Sequence, residues 1–211
     1  MSKHFLLGGI VAAAIAITAS TQAGKGTIDA ASLKITIHKF AVATSSDCAH
    51  PTVVFTSDAG VESDLLANPT YGSGLVDPGT YECVLIELSK IIKTSATMSS
   101  GSCVQGFEFP DVICRDGQAS QLVDGTPVTC SGGDATPQHV TVFVTTASAG
   151  KGGDRALLPP ASASDTTSGI QLSAPLVVSA DRVVTLTLDP KQFLDGSGPV
   201  CATSAPSFVA N

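Results

Sequence analysis

The chain has no tryptophan and only two tyrosines among 211 residues. Sugar-binding surfaces stack their ligands on exposed Trp or Tyr, so this poverty counts against a strong lectin surface. Charge is sparse as well: Asp, Glu, Lys and Arg make up 14%, with a formal net charge of −7. An acidic chain without a Lys/Arg cluster repels phosphate backbones and anionic lipid surfaces, which excludes nucleic acid as a partner. No C-x-x-C occurs, so neither a thioredoxin-type motif nor a haem-attachment C-x-x-C-H is present. No G-x-S-x-G occurs either. Asn68 precedes Pro69 and Asn211 is the last residue, so no N-glycosylation acceptor exists, which favours a bacterial source.

What is present begins with a leader pattern. Lys3 and His4 form a short basic region, and Phe5 to Ala19 is an uncharged run dominated by Leu, Ile, Val and Ala. Ser20-Thr21-Gln22-Ala23 follows, polar and ending on a small residue. This predicts a signal peptide over 1–23, cleaved after Ala23, and a protein that is secreted or periplasmic. The apolar run has 15 residues, whereas a spanning helix needs about 20. An uncleaved membrane anchor is the competing reading. No later segment is long and apolar enough to span a bilayer. Removing 23 residues from 211 leaves 188, read as one exported domain over 24–211.

Six cysteines remain in that domain: Cys48, Cys83, Cys103, Cys114, Cys130 and Cys201. An even count in an oxidising compartment predicts three disulfides. Their spacings of 35, 20, 11, 16 and 71 match no usual zinc-ligand pairing. Fifteen connectivities are open, and the closeness of Cys103, Cys114 and Cys130 predicts at least one local bridge.

Period-2 patterning dominates the rest. Leu33, Ile35 and Ile37 alternate with Lys34 and Thr36, after which Phe40 and Val42 fall on the opposite parity. One extra residue near His38-Lys39 produces such a phase shift, so a β-bulge is expected there. Asp77-Pro78-Gly79-Thr80 reads as a turn with Gly79 at positive φ, feeding a strand over Tyr81 to Ile92. A helix over Glu82 to Lys93 is the alternative. Cys103 to Cys114, with Pro110 inside it, suggests two short strands or one bent strand. Arg115-Asp116-Gly117 and Val123-Asp124-Gly125 read as turns. Val140, Val142 and Val144 alternate with Thr141, Phe143 and Thr145, giving a strand with a polar side that carries His139. Ala147 to Ser168 is a loop or hinge rich in Gly, Pro, Ser and Ala. Ile170 to Val178 and Val184 to Leu188, separated by Ser179-Ala180-Asp181, predict a hairpin, with Pro175 placing its strand at an edge. The fold class expected is mainly β: a disulfide-stapled antiparallel β-sandwich or barrel, of Greek-key or transthyretin-like form.

Two segments carry a resemblance. Leu75-Val76-Asp77-Pro78-Gly79-Thr80-Tyr81, followed by an apolar strand, resembles the "pGtY" signature of transthyretin-like and carbohydrate-binding-like β-sandwich modules. Ser168 to Leu172 through Val184 to Asp189 looks like the closing hairpin of an uncharacterised bacterial envelope family with that kind of fold. Together they span about a quarter of the expected domain. The resemblance implies a fold and an envelope location and carries over no active-site residue. Six cysteines and the absence of a lipidation cysteine depart from the usual envelope-lipoprotein pattern.

Candidate chemistry is thin. Gly150-Lys151-Gly152-Gly153 lacks the glycine and the Ser/Thr that a phosphate loop needs, and Ser148-Ala149-Gly150-Lys151 matches S-x-x-K without S-D-N or K-T-G. His38, His50 and His139 assemble into a triad or metal site only if the fold gathers them, and isolated surface histidines are the commoner case. Asp116, Asp124, Asp134, Asp154 and Asp195 lie in turns without the spacing of a calcium loop. The chain is therefore read as a protein with no catalytic, cofactor or metal site. Its expected role is non-enzymatic, binding a protein or a surface glycan, or assembling with itself through exposed strand edges. The alternative is a small secreted hydrolase on a β scaffold, which requires a histidine within about 3 Å of a Ser, Cys or carboxylate.

Overall fold

The alternating apolar run from Leu33 onward and the long apolar run after Tyr81 are each other's partners. The structure, a computed structural model, describes residues 13–16, 28–67, 70–74, 76–114, 117, 119–131, 138–147, 170–172, 174–179, 186–188, 193–203 and 208–210. Strand β1 (Ala30–Ala43) pairs on one flank with β2 (Thr52–Asp64). On its other flank it pairs first with β3 (Cys83–Ser89) and then with β4 (Ile91–Ala96). Strands β3 and β4 are one antiparallel run interrupted at Lys90. Against β3 the β1 register shifts between Ile37 and Lys39, so His38 is the extra residue of a bulge, as the phase shift predicted; against β2 the surplus lies on β2, at residues 57–60. The bulge has a packing purpose. It returns Phe40 and Val42 to the core that holds Leu33, Ile35 and Ile37, and sends Ala41 and Ala43 to the opposite face.

At Lys90 the sheet forks. The outer flank of β3 pairs with β6 (His139–Thr145), while that of β4 pairs with β5 (Glu108–Val112). Lys90 serves both branches: its N–H donates to Gln138 O, and its carbonyl accepts from Ile113 N–H. Strand β7 (Ile170–Gln171) adds to β6 in parallel. The result is a mainly β, curled, almost wholly antiparallel seven-stranded sheet with two-stranded satellites, and no helix among the described residues. Tyr81 to Ile92 is accordingly strand, not helix.

Several local expectations change. The run from Ile170 to Leu188 does not fold on itself as a hairpin. Ile170–Gln171 joins β6, Leu176–Val178 pairs with Gly79–Tyr81, and Leu186–Leu188 pairs with Phe208–Ala210. Pro175 cannot donate to a ladder, and the strand resumes only after it, with a new partner. Leu172, Leu176 and Val178 are buried as the alternation implied, but Ala174 at the break is exposed. Gly79 lies outside the left-handed region, and the Asp77–Thr80 turn is closed instead by the Tyr81 hydroxyl donating to Asp77 O at 2.7 Å. Between Cys103 and Cys114 the only strand is β5, with Pro110 opposite Lys93. The leader segment 1–23 lies outside the described residues apart from Ala13–Ala16, which pair with Thr70–Gly74. The Ala147–Ser168 loop lies outside them beyond Ala147.

Strand β6 buries both faces, against the polar side expected of Thr141, Phe143 and Thr145. Val140, Val142 and Val144 join the main core with Val84, Ile86 and Leu88. Phe143 joins a second, smaller cluster with Leu85, Ala41, Ala43, Val123 and the Cys48–Cys83 pair. The second face is covered by the ribbon Ala119–Gln121/Pro127–Thr129, whose connecting turn supplies Val123, and by the loop carrying Cys48.

All six cysteines are paired: Cys48–Cys83, Cys103–Cys201 and Cys114–Cys130. The last is a local bridge of the kind expected among Cys103, Cys114 and Cys130. On the chain-entropy account, closing its loop contributes about 3 kcal/mol and the Cys103–Cys201 loop about 4.7 kcal/mol. Replacing Phe143 with alanine empties the centre of the second cluster. Phe143→Ala should lower the unfolding free energy by about 3–5 kcal/mol in chemical denaturation with the disulfides intact. A loss below about 1 kcal/mol would show that this face is not a packed core.

Candidate functional site

A bulged residue has no cross-strand partner to fix its side chain, and here that residue is a histidine. Lys39 pairs with Thr56 and Ile37 with Val61, so β2 sets the four residues 57–60 against His38 alone. Gly60 makes this fit, at φ +75. A Cβ there would lie 2.5 Å from Thr36 Cγ2 and 2.7 Å from His38 Cε1. The bulge on β2 thus caps the His38 ring from the side of the sheet edge.

From the other side the ring stacks on His139, with centroids 3.5 Å apart and planes 21° from parallel. His38 Nε2 lies 3.1 Å from Ser89 Oγ, and either atom can donate, according to the tautomer. His139 Nδ1 is 3.5 Å from Oε1 of Glu87, whose side chain is only 3% exposed. The other carboxylate oxygen accepts from Val123 N–H at 3.2 Å and from Lys39 Nζ at 3.3 Å. Five polar side chains from β1, β3 and β6 therefore converge on the second face: His38, Lys39, Glu87, Ser89 and His139. A buried carboxylate is tolerable because hydrogen bonds and a cation compensate its lost hydration.

His38 is the group that burial perturbs. Desolvation lowers its pKa below 6.5, and the neighbouring His139 lowers it further. Peptide groups of Ser57 and Asp58, and more weakly Glu87, oppose this without reversing it. Its Nδ1 is buried without a hydrogen bond of normal geometry. A neutral imidazole beside a serine hydroxyl is the pairing from which acyl-transfer sites are built. The orienting third group is missing, because Glu87 addresses His139 and not Nδ1 of His38. The rings are stacked face to face, not linked in a proton relay.

Of the three histidines, the fold gathers two, and neither is the isolated surface residue expected from the sequence. His50 is exposed and sits at φ 51 in the loop closed by Cys48, which itself has φ 60. Glu87 and Ser89 were not singled out from the sequence. Their signal is parity: they share a face with Leu85 in a run that is otherwise apolar. Lys90 was missed too; it is fully buried, with Nζ donating to Ser131 O at 2.8 Å. Asp124 accepts from Thr126 N–H inside its own turn, and these Thr126 hydrogen bonds hold its carboxyl below the usual range. Asp195 likewise accepts from Ser197 N–H. Asp116, Asp134, Asp154, Ser148 and Gly150 to Gly153 lie outside the described residues. Among the described residues, no three His, Cys, Asp or Glu side chains are grouped to hold a metal ion.

Gly60→Ala should cost about 1–3 kcal/mol in stability, since the new methyl meets Thr36 and His38 in a left-handed backbone. Retained stability by urea denaturation would contradict the capping role. The pH dependence has a defined sign. With the folded pKa of His38 below 6.5, the unfolded chain binds more protons in the window beneath that value, so stability rises with pH there. Its contribution is full above 6.5 and is lost as pH falls below it. His38→Asn should flatten that part of the stability–pH profile. No protein-family model, curated protein or solved structure matches the chain, so the residues themselves are the ground for its function.

Proposed function

We propose that the chain is an exported, non-enzymatic protein of the bacterial cell envelope or exterior, acting in binding or surface assembly through strand β2. Export is supported by the leader pattern at 1–23 and by the oxidised state of all six cysteines, since such bridges persist in oxidising compartments. No helix of the described residues is long and apolar enough to cross a membrane.

The observation that carries the reading is the character of β2. It runs for 13 residues at the margin of the sheet, and its ladder among the described residues is to β1. Val53 and Val61 stand 49% and 42% exposed on it. A long marginal strand with exposed β-branched residues is a template for an added strand. One of the two margins on the forked side is blunted: β5 contains Pro110, which has no N–H to donate, and its Asp111 carboxylate accepts Thr203 N–H at 3.1 Å. A second copy joined through β2 would extend one sheet across a two-fold axis. A glycan is the weaker partner, because the chain has no tryptophan and only two tyrosines, of which Tyr81 is buried.

The hydrolase reading rests on one contact, Ser89 Oγ on His38 Nε2. A fluorophosphonate that labels Ser89 would favour it; an unlabelled protein would leave the binding role standing. Assembly is tested by light scattering of the oxidised protein across concentration. The mean mass should rise with concentration, and Val53→Lys should abolish the rise. A strict monomer at the highest concentration would overturn association through β2.

A further inference from the structure

Only one side of the His38 ring is held by regular structure. His139 belongs to β6, which keeps an uninterrupted seven-residue register against β3. Glu87 is fixed by Lys39 and by Val123 N–H. Ser89 closes β3. The opposite wall is the segment 57–60, the four residues of β2 that have no register partner between Thr56 and Val61. Whatever expels the His38 ring from its slot therefore moves that segment first, because four unpaired residues yield before a seven-residue ladder does.

The charges around the slot make a proton such an agent. From β1 comes Lys39, from β6 His139, and from β3 the Glu87 carboxylate. The 122–126 turn adds Asp124, whose carboxyl feels Lys39. From β2 the ring meets peptide groups of Ser57 and Asp58. Glu87 is the one buried anion of the group, and Lys39 and His139 already share it. A positive charge on His38 would sit 3.5 Å from a second imidazole, beneath Gly60 and away from water. The peptide groups of Ser57 and Asp58 favour that charge, but they do not outweigh the lost hydration and the neighbouring His139.

We propose that the stacked His38–His139 pair is an acid-opened latch: a proton taken up by His38 drives the 57–60 bulge off the sheet and loosens the middle of β2. Opening hydrates the charged ring. It leaves β1, β3 and β6 paired, since the ladders among them do not include residues 57–60. The latch is a property of the single chain and holds whether or not copies associate. Histidine suits the role because its charge changes within the range that exported proteins meet.

Nuclear magnetic resonance of the full, oxidised protein between pH 8 and 4.5 tests it. The His38 Cε1 proton and the amides of 57–60 should titrate together, with one midpoint below 6.5. Amide protection around 57–60 should fall by about fivefold or more across the titration, while the β3 and β6 amides hold theirs. In His38→Asn the bulge amides should lose their pH dependence. Three results would overturn the latch: no titration of His38 above pH 4.5, titration without a response at 57–60, or an unchanged response in His38→Asn. Should that variant fail to fold, the coincidence of midpoints in the unsubstituted protein decides alone.

Discussion

The pairing of Ala30–Ala43 with the run from Cys83 to Ala96 is the contact from which every other strand of the main sheet is hung. It brings together two segments about 50 residues apart, and β2, β5 and β6 each take their place on one flank or the other of this pair. Its two irregularities lie close together, with His38 extra in one strand and Lys90 interrupting the other. A regular pair of this length would present one apolar and one polar face throughout. The shift at His38 keeps a single core continuous across both halves, and the fork at Lys90 lets each half acquire its own outer strand. Curling follows from bulge and fork together, because bulges bend a strand and raise its twist.

The disulfides are placed where this frame cannot reach. Cys48–Cys83 ties the loop after β1 to the first residue of β3, Cys103–Cys201 ties the segment 193–203 to the loop after β4, and Cys114–Cys130 closes the ribbon that covers the second face. Side-chain ties work beside them. Asp111 accepts Thr203 N–H, and Asp64 accepts the N–H groups of Leu33 and Leu66. A protein with little aromatic bulk thus relies on cross-links and capped loops to complete what strand pairing begins.

The strand content was legible because period-2 alternation reports which face a residue takes, and the bulge was legible as a change of that phase at His38. The disulfides followed from an even count, and closeness in sequence pointed to a local bridge among Cys103, Cys114 and Cys130 without saying which pair forms it. Partners were not legible. Leu176–Val178 and Leu186–Leu188 look like arms of a hairpin, yet alternation says nothing about which strand lies alongside. The second core was hidden for a related reason: Thr141 and Thr145 read as solvent-facing until a ribbon 20 residues earlier is known to cover them. The polar cluster was half visible. His38 and His139 stood out as histidines, but their stacking depends on the bulge and on the β3–β6 register, and Glu87 and Ser89 were masked by the apolar run around them.

The polar groups on the second face sit over a strand pair whose burial protects them, and that pair holds the sheet together. Native-state hydrogen exchange on the oxidised protein is the most direct measurement of it. The slowest amides should lie in Ala30–Ala43 and Cys83–Ala96, both exchanging through the same global opening. Were the slowest amides to lie instead in the satellite ribbons, or the two long strands to exchange independently of each other, the frame described here would be contradicted.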